Sequence, residues 1–434
     1  MKTFALAMSL CALIVCRQAA AAAVQDSGPP VVRPPAQTAP HVEDLVAIAL
    51  GRSSDVDVLR AKLAAAREMV APAGALPNPM TSIAYTEADF PFFGVGREPM
   101  SAITIEYRQG LPYGGKRVAR RQVARAEVET RVRELEELQQ QIGRQVRTIY
   151  GRMYALDCER TVLKAARELL DMLTATASTR YGVGEASEEP VLKAQLAVSR
   201  LDERADDLAA ERRIQLAALN RLLDSPIDSA LGDIEALPPV TVPSSDWLEL
   251  AQANSPGLAV RQAEIAAAQK RLAVTKLDLK PDFTVGGAVG IRGKLPPVVT
   301  FGVGVEWPWW KKDKQESLVR AAERELDLAR HAEHNEWVDV RTEVARLSAE
   351  WQRAEQQIRR YQQAILPQTA AAMDAARLAY LNGRGDFSTV IEDFGLWLDA
   401  RVRLATREAD RFATWADLQV LTSGPATGGA GKGR

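Results

Sequence analysis

The sequence predicts an α+β chain in which long helical hairpins are joined to short alternating strands, the whole plan occurring twice. Three observations carry this reading. Four blocks recur in one order, four short segments alternate between apolar and polar residues, and two very long stretches are almost free of proline and glycine.

The repeat comes first, because it organises the rest. "DLVAIALGRSSDVDVLRAKLAAAREMV" from Asp44 resembles "DWLELAQANSPGLAVRQAEIAAAQKRL" from Asp246. "LPNPMTSIAY" (76–85) lines up with "LKPDFTVGGA" (279–288), and "EYRQGLPYGGKRVARRQVARAE" with "VEWPWWKKDKQESLVRAAERE". "RYGVGEASEEPVLKA" from Arg180 parallels "AYLNGRGDFSTVIED" from Ala379. The spacing between copies stays near roughly 200 residues, as an internal duplication requires. The first repeat is read over 41–240: an opening helix, a β-hairpin about 80–110, a long helix 117–181, a tip 182–187 and a return helix 190–224. The second is read over 241–422: an opening helix, a hairpin about 282–307, a long helix 313–380, a tip 381–388 and a return helix 389–422.

The strand segments alternate with a period of two. In "SAITIEYRQ", Ile103, Ile105 and Tyr107 share a face, with Thr104 and Glu106 on the other. In "TFGVGVEW", Phe301, Val303, Val305 and Trp307 oppose Thr300, Gly302, Gly304 and Glu306. "FTVGGAVGI" repeats the pattern with Phe283, Val285, Val289 and Ile291. Two environments produce this alternation: a half-buried soluble sheet, or a membrane barrel with apolar residues towards lipid. Four strands cannot close by themselves, and hydrocarbon does not tolerate open edges. In a membrane, several chains must therefore pool their strands; three chains give 12.

Arg117 to Tyr181 contains no proline and only Gly143 and Gly151. Fully helical, it extends about 98 Å at roughly 1.5 Å per residue. Leu135, Leu138, Ile142, Val146, Ile149, Met153 and Leu156 form a narrow seam, and the other faces carry Arg, Glu and Gln. Such a seam suits helices packed side by side with water on both surfaces, and equally an elongated coiled coil. Gly182, Gly184, Asn382, Gly383 and Gly385 admit left-handed C-caps, after which Ser187 or Asp386 can cap the returning helix.

The N-terminal "MKTFALAMSLCALIVCRQAAAAA" has the pattern of a secretory signal, residues 1–23, with an apolar run too short to span a bilayer. Cys16 opens an alternative, cleavage before a lipid-modified cysteine. Residues 24–40 read as a Pro-rich flexible segment and 423–434 as a disordered tail. Removal of the signal leaves Cys158 alone, without a disulfide framework. A formal net charge of −1, from 55 basic and 56 acidic residues, offers nothing to nucleic acid.

Together "LPNP", "LPYGGKR", "YGVGEAS" and the duplicated plan resemble the TolC-type outer membrane efflux family over roughly residues 41 to 422. "GGKR" with "VARRQVARAE" is most similar to the branch serving heavy-metal exporters of the resistance-nodulation-division (RND) type. The resemblance implies a homotrimer, with a 12-stranded transmembrane β-barrel (four strands per chain) continued by a periplasmic α-barrel. Its implied partners are outer-membrane lipid, a periplasmic adaptor (membrane fusion protein) and an inner-membrane RND-type pump. No cofactor is implied, and no catalysis. The resemblance puts adaptor-docking tips at Arg180, Tyr181, Gly182, Val183, Gly184 and Ser187, and at Tyr380, Gly383, Gly385 and Asp386. It puts a pore constriction at Glu392 and Asp393, with Thr389 standing where an acid is expected. Trp307, Trp309, Trp310, Lys311 and Lys312 read as a membrane-interface belt. Lys116 and Arg117 are read as lipid head-group contacts or as solvated first-turn charges. Phe90, Phe92 and Phe93 fall in an external loop.

Other readings are weighed on the residues alone. His331 and His334 have metal-ligand spacing on a helix, but no cysteine supports them, and they read as surface residues. No phosphate-binding loop or nucleophile elbow is present. A periplasmic coiled-coil adaptor or scaffold shares the signal and the rods. It leaves the duplicated hairpins and the Trp-Trp-Lys-Lys flank without a reason.

Overall fold

Seam residues spaced three and four apart bury one narrow stripe of each long helix, and this decides where the helices pack. The computed structural model of the chain describes residues 39–87, 94–95, 98–240 and 246–422. The expected signal, Cys16, Phe90, Phe92, Phe93 and the tail 423–434 lie outside the described residues.

Each half opens with a broken helix. α1 (Val42–Arg52) passes to α2 (Ser54–Glu68) through Ser53, and α6 (Trp247–Asn254) to α7 (Pro256–Leu277) through Ser255. The two serines have nearly the same backbone, φ −59°, ψ 123° and φ −60°, ψ 122°. A short α3 (Val70–Ala73) follows α2. Then come β1 (Met80–Thr86) and β2 (Ala102–Leu111) in the first half, β3 (Asp282–Arg292) and β4 (Leu295–Glu306) in the second. Counting on from the serines without a gap, Met80 matches Asp282, one residue away from the match that the sequences alone suggest.

The first rod, α4 (Lys116–Gly182), is continuous for 67 residues, about 100 Å. Its returning partner is α5 (Glu189–Leu222). The second rod differs from the single helix expected over 313–380. It consists of α8 (Gln315–Arg360), a π-turn Tyr361–Ile365 and α9 (Leu366–Leu381), before α10 (Phe387–Thr422) returns. Pro367 is the physical reason. It lacks an N–H and crowds the carbonyl four residues back, and the wider π-turn relieves this, with the Leu366 N–H reaching Tyr361 O.

The two hairpins bury a shared core. Leu163, Ala166, Leu170, Leu173 and Ala177 of α4 meet Leu201 and Leu208 of α5, Tyr380 of α9, and Phe387, Val390, Phe394 and Leu398 of α10. Each large apolar side chain buried this way contributes about 1.5–3 kcal/mol. A second core joins α1 and α2 to the middle of α4 through Leu45, Val56, Ile142, Val146 and Met153, with Phe412 of α10. Among the described residues no helix is long and apolar enough to cross a membrane.

Candidate conduit, junctions and hairpin tips

The four strands form one antiparallel sheet in the order β1-β2-β3-β4. Register turns the alternation of single strands into two continuous faces. Ile83 lies opposite Ile105, Ile105 opposite Val289, and Val289 opposite Val299. The same face carries Tyr85, Ile103, Val285, Phe301, Val303 and Val305. Phe301 is 87% exposed and Val303 77%, so among the described residues nothing covers this part of the face. The opposite face is small and polar: Ser82, Thr104, Thr284, Gly286, Ala288, Thr300, Gly302 and Gly304, with an ion pair between Glu106 and Arg108. Glu106, Arg108 and the glycines line a shallow depression of about 370 Å³. A Cβ at Gly286 would lie 2.7 Å from the Tyr107 carbonyl oxygen, so glycine is needed for that close approach.

The strand-to-rod junctions differ between the halves. Gly115, with φ 94°, turns the chain from β2 into α4, a conformation that only glycine adopts freely. Lys116 is 2% exposed. Its Nζ donates to Asp282 Oδ1 at 2.9 Å and to the Lys280 carbonyl at 3.2 Å, and pairs with Asp278 at 3.5 Å. The Tyr113 N–H also donates to Asp282 Oδ1, at 2.7 Å. This corrects both sequence readings of Lys116. It touches neither head groups nor solvent, because a carboxylate at the start of β3 draws it inward. Arg117 is similarly engaged, donating from Nε to the Gly74 carbonyl at 2.9 Å. At the second junction Trp307, Trp309, Trp310, Lys311 and Lys312 are all exposed.

Both tips close by the same hydrogen-bond pattern. Glu185 N–H reaches Arg180 O and Gly184 N–H reaches Tyr181 O; Arg384 N–H reaches Ala379 O and Gly383 N–H reaches Tyr380 O. Gly184 (φ 76°) and Gly383 (φ 72°) occupy the left-handed position of this Schellman cap. Asp386 caps α10 by accepting the Ser388 N–H. Ser187 does not cap α5, where Glu188 takes the N-cap position without a side-chain bond. Tyr181, Gly182, Val183, Ser187 and Asp386 are exposed, and Gly385 is half-buried against Ala379. The tips are joined by Arg180, which donates to the Tyr380 carbonyl at 2.9 Å and lies 5.2 Å from the Tyr380 ring centroid.

Glu392 is exposed in a groove of about 490 Å³ between α5 and α10, beside Lys193, Arg200 and Ile391. Asp393 is half-buried and Thr389 exposed. Glu392 and Asp393 occupy successive positions of one helix and so differ in direction by about 100°. His331 and His334 are exposed, and the described residues hold no cluster suited to a metal ion.

The structure also brings together a charged centre that the sequence reading passed over. Asp157 is 3% exposed and accepts from Arg212 Nε at 2.7 Å and from the Ile234 N–H at 3.0 Å. Arg212 reaches the carbonyls of Leu231 and Gly232, and Arg160 pairs with both Asp157 and Asp233. The cluster fastens the segment after α5 against α4. A signal was available: Asp157 continues the apolar series Val146, Tyr150, Met153 at helical spacing.

Residues 247–424 match the model of the outer membrane efflux protein family. No curated protein sequence matches the chain. Among solved structures, the outer membrane protein VceC from Vibrio cholerae has a TM-score of 0.74 at 16% identity, covering 88% of this chain and 96% of its own. The outer-membrane channel OprN gives 0.77 at 17%, covering 88% and 90%. CusC gives 0.77 at 14%, covering 88% and 92%. These likenesses each cover 88% of the chain, so the fold shared with those structures extends through both halves.

Proposed function

We propose that the protein is the outer-membrane exit duct of a tripartite efflux system. It sits in the outer membrane of a Gram-negative cell with its rods extending into the periplasm. Three copies join their strands in one 12-stranded barrel and their hairpins in one helical tube. A periplasmic adaptor docks at the tips, around Arg180–Ser187 and Tyr380–Asp386. An inner-membrane pump of the RND type supplies the energy, and cargo passes through without catalysis. Heavy-metal cations or small toxic compounds are the cargo classes that suit the "GGKR" branch. Glu392 and Asp393 stand close enough to the second tip to act as an acidic constriction, which would concentrate cations by its field.

The observation that carries this reading is the uncovered apolar face of the sheet. A soluble periplasmic adaptor has no use for Phe301, Val303 and Ile83 standing in water, whereas hydrocarbon accepts them. The exposed tryptophans and lysines at one end of β4 match an interfacial belt. The test is purification of the mature protein followed by planar-bilayer recording. A detergent-dependent trimer with steady conductance is expected; a monomer released from membranes by alkaline carbonate would reject the duct and return the adaptor reading.

A further inference from the structure

The barrel has one seam inside each chain, β2 against β3, and one between chains, β4 against β1. Both join a strand that ends one repeat's hairpin to a strand that begins another's. Among the described strands β1 and β4 each have one strand neighbour and stand at the two ends of the sheet. In hydrocarbon each unpaired backbone group costs several kcal/mol, so these edges must meet those of another copy. The duplication then supplies the register.

The match through Ser53 and Ser255 makes Thr81 equivalent to Phe283, Ile83 to Val285 and Tyr85 to Gly287. Pro112 directly follows β2, and Pro308 stands two residues after Glu306, the end of β4; matched proline to proline, Leu111 corresponds to Trp307, Gln109 to Val305 and Tyr107 to Val303. Within the chain Leu111 lies opposite Phe283, Gln109 opposite Val285 and Tyr107 opposite Gly287. Resting on the duct reading, we infer that the seam between copies sets Trp307 opposite the neighbouring copy's Thr81, Val305 opposite its Ile83 and Val303 opposite its Tyr85.

The prolines on which the match was built fall alike at the two seams, and one further observation, the tilt, agrees. In this register Pro308, which has no N–H to give, falls opposite Met80, the first residue of β1; Pro112 falls in the same way opposite Asp282, the first residue of β3. At the outer seam β4 ends at Glu306, opposite Ser82, and its other end runs on past Thr86, the last residue of β1. Carrying the registers around three copies gives a strand tilt of about 45°, at the usual value for such barrels, while sliding β4 two residues further raises it to about 55°. That slide is the natural competitor, because the β3–β4 hairpin is itself displaced by two residues relative to β1–β2. The two seams differ in chemistry. Asp282 becomes Met80 at the outer seam and Asp278 becomes Leu76, so Lys312 finds no carboxylate of the kind that buries Lys116.

Double-cysteine variants in a Cys158→Ser background test the register by oxidation in native membranes and non-reducing electrophoresis. V305C/I83C should give covalent dimers and trimers. It should exceed V305C/Y85C by about tenfold, since directly opposed Cβ atoms lie within disulfide reach and diagonal ones do not. Dominant cross-linking of V305C/Y85C or W307C/I83C, in a protein that is still trimeric and conducting, would overturn the register and leave the duct intact. Absence of any cross-link in a monomeric, non-conducting protein would reject the duct itself.

Discussion

The two halves of the chain follow one plan but treat their rods differently. The first rod is continuous from Lys116 to Gly182 and is pinned at both levels where it could shift. Lys116 holds it to β3, and Asp157 holds the segment after its hairpin. In the second rod Lys312 is exposed, and the cap-matched equivalent of Asp157 is Gln356, just before the π-turn at Tyr361–Ile365. The duplication thus preserved helix, strand and tip while concentrating buried charge in one half and backbone irregularity in the other. The difference teaches that the first hairpin anchors the chain, and that the second is the one with room to adjust.

The largest effect should come from the surface the halves share. Phe301→Arg puts a charge in the centre of the apolar face, at about 2–4 kcal/mol per copy near the bilayer midplane. Loss of trimer from the outer-membrane fraction is expected, read by heat-modifiable electrophoresis. Thr300→Arg, one residue away on the polar face, should assemble normally. If both variants assemble equally well, the two faces have been assigned to the wrong media.

Next is the anchor. Asp157→Ala leaves Arg212 without its buried partner, and breaking a buried ion pair costs about 3–5 kcal/mol. Denaturant unfolding of the detergent-solubilised protein should show the loss, with Gln356→Ala within about 0.5 kcal/mol of the parent as a surface change. Equal effects at the two positions would erase the contrast between the rods.

Much of this was legible in the sequence, for identifiable reasons. Helix length follows from local chemistry: without proline or glycine, residues 117–181 had little alternative to one rod. The tip glycines announced their left-handed caps, and the period of two announced both strand faces. Lys116 was misread because its partner Asp282 is far along the chain, and no local pattern reveals a tertiary ion pair. The π-turn was missed because the second rod was read as one helix, 313–380, straight through Pro367.

The junctions give a smaller contrast. Lys116→Met removes the donor from Asp282 and should cost about 1–3 kcal/mol, the range for leaving a buried polar partner unsatisfied. Lys312→Met should be near neutral for unfolding. A neutral Lys116→Met would mean that the inner joint is held by packing alone.

Acid should weaken the anchor. The Arg160 side chain, donating to Asp233, holds that carboxyl below its ordinary range. A lowered folded-state pKa contributes stability above the unfolded value, near 3.8, and that contribution disappears as pH falls through the folded value. Amides of 231–240 should therefore lose protection below about pH 4, and Arg160→Gln should already show part of the loss at neutral pH. Because Asp233 is more than half exposed, solvent screening keeps the effect small.

The smallest effect is the most local. A π-turn has poorer hydrogen-bond geometry than the α-helix it interrupts, so amides of Tyr361–Leu366 should exchange about tenfold faster than those of Val162–Arg167 on the first rod, about 1.4 kcal/mol in opening free energy. Both segments lie in long helices of the same fold, so the comparison isolates the turn. Pro367→Ala restores an N–H and removes the ring's conflict with the preceding turn. If proline is the cause, the variant should bring the two exchange rates together without altering trimer yield. If exchange at 361–366 stays fast, the turn is held by the packing of α9 on α10, and the adjustability of the second hairpin belongs to its interface rather than to its backbone.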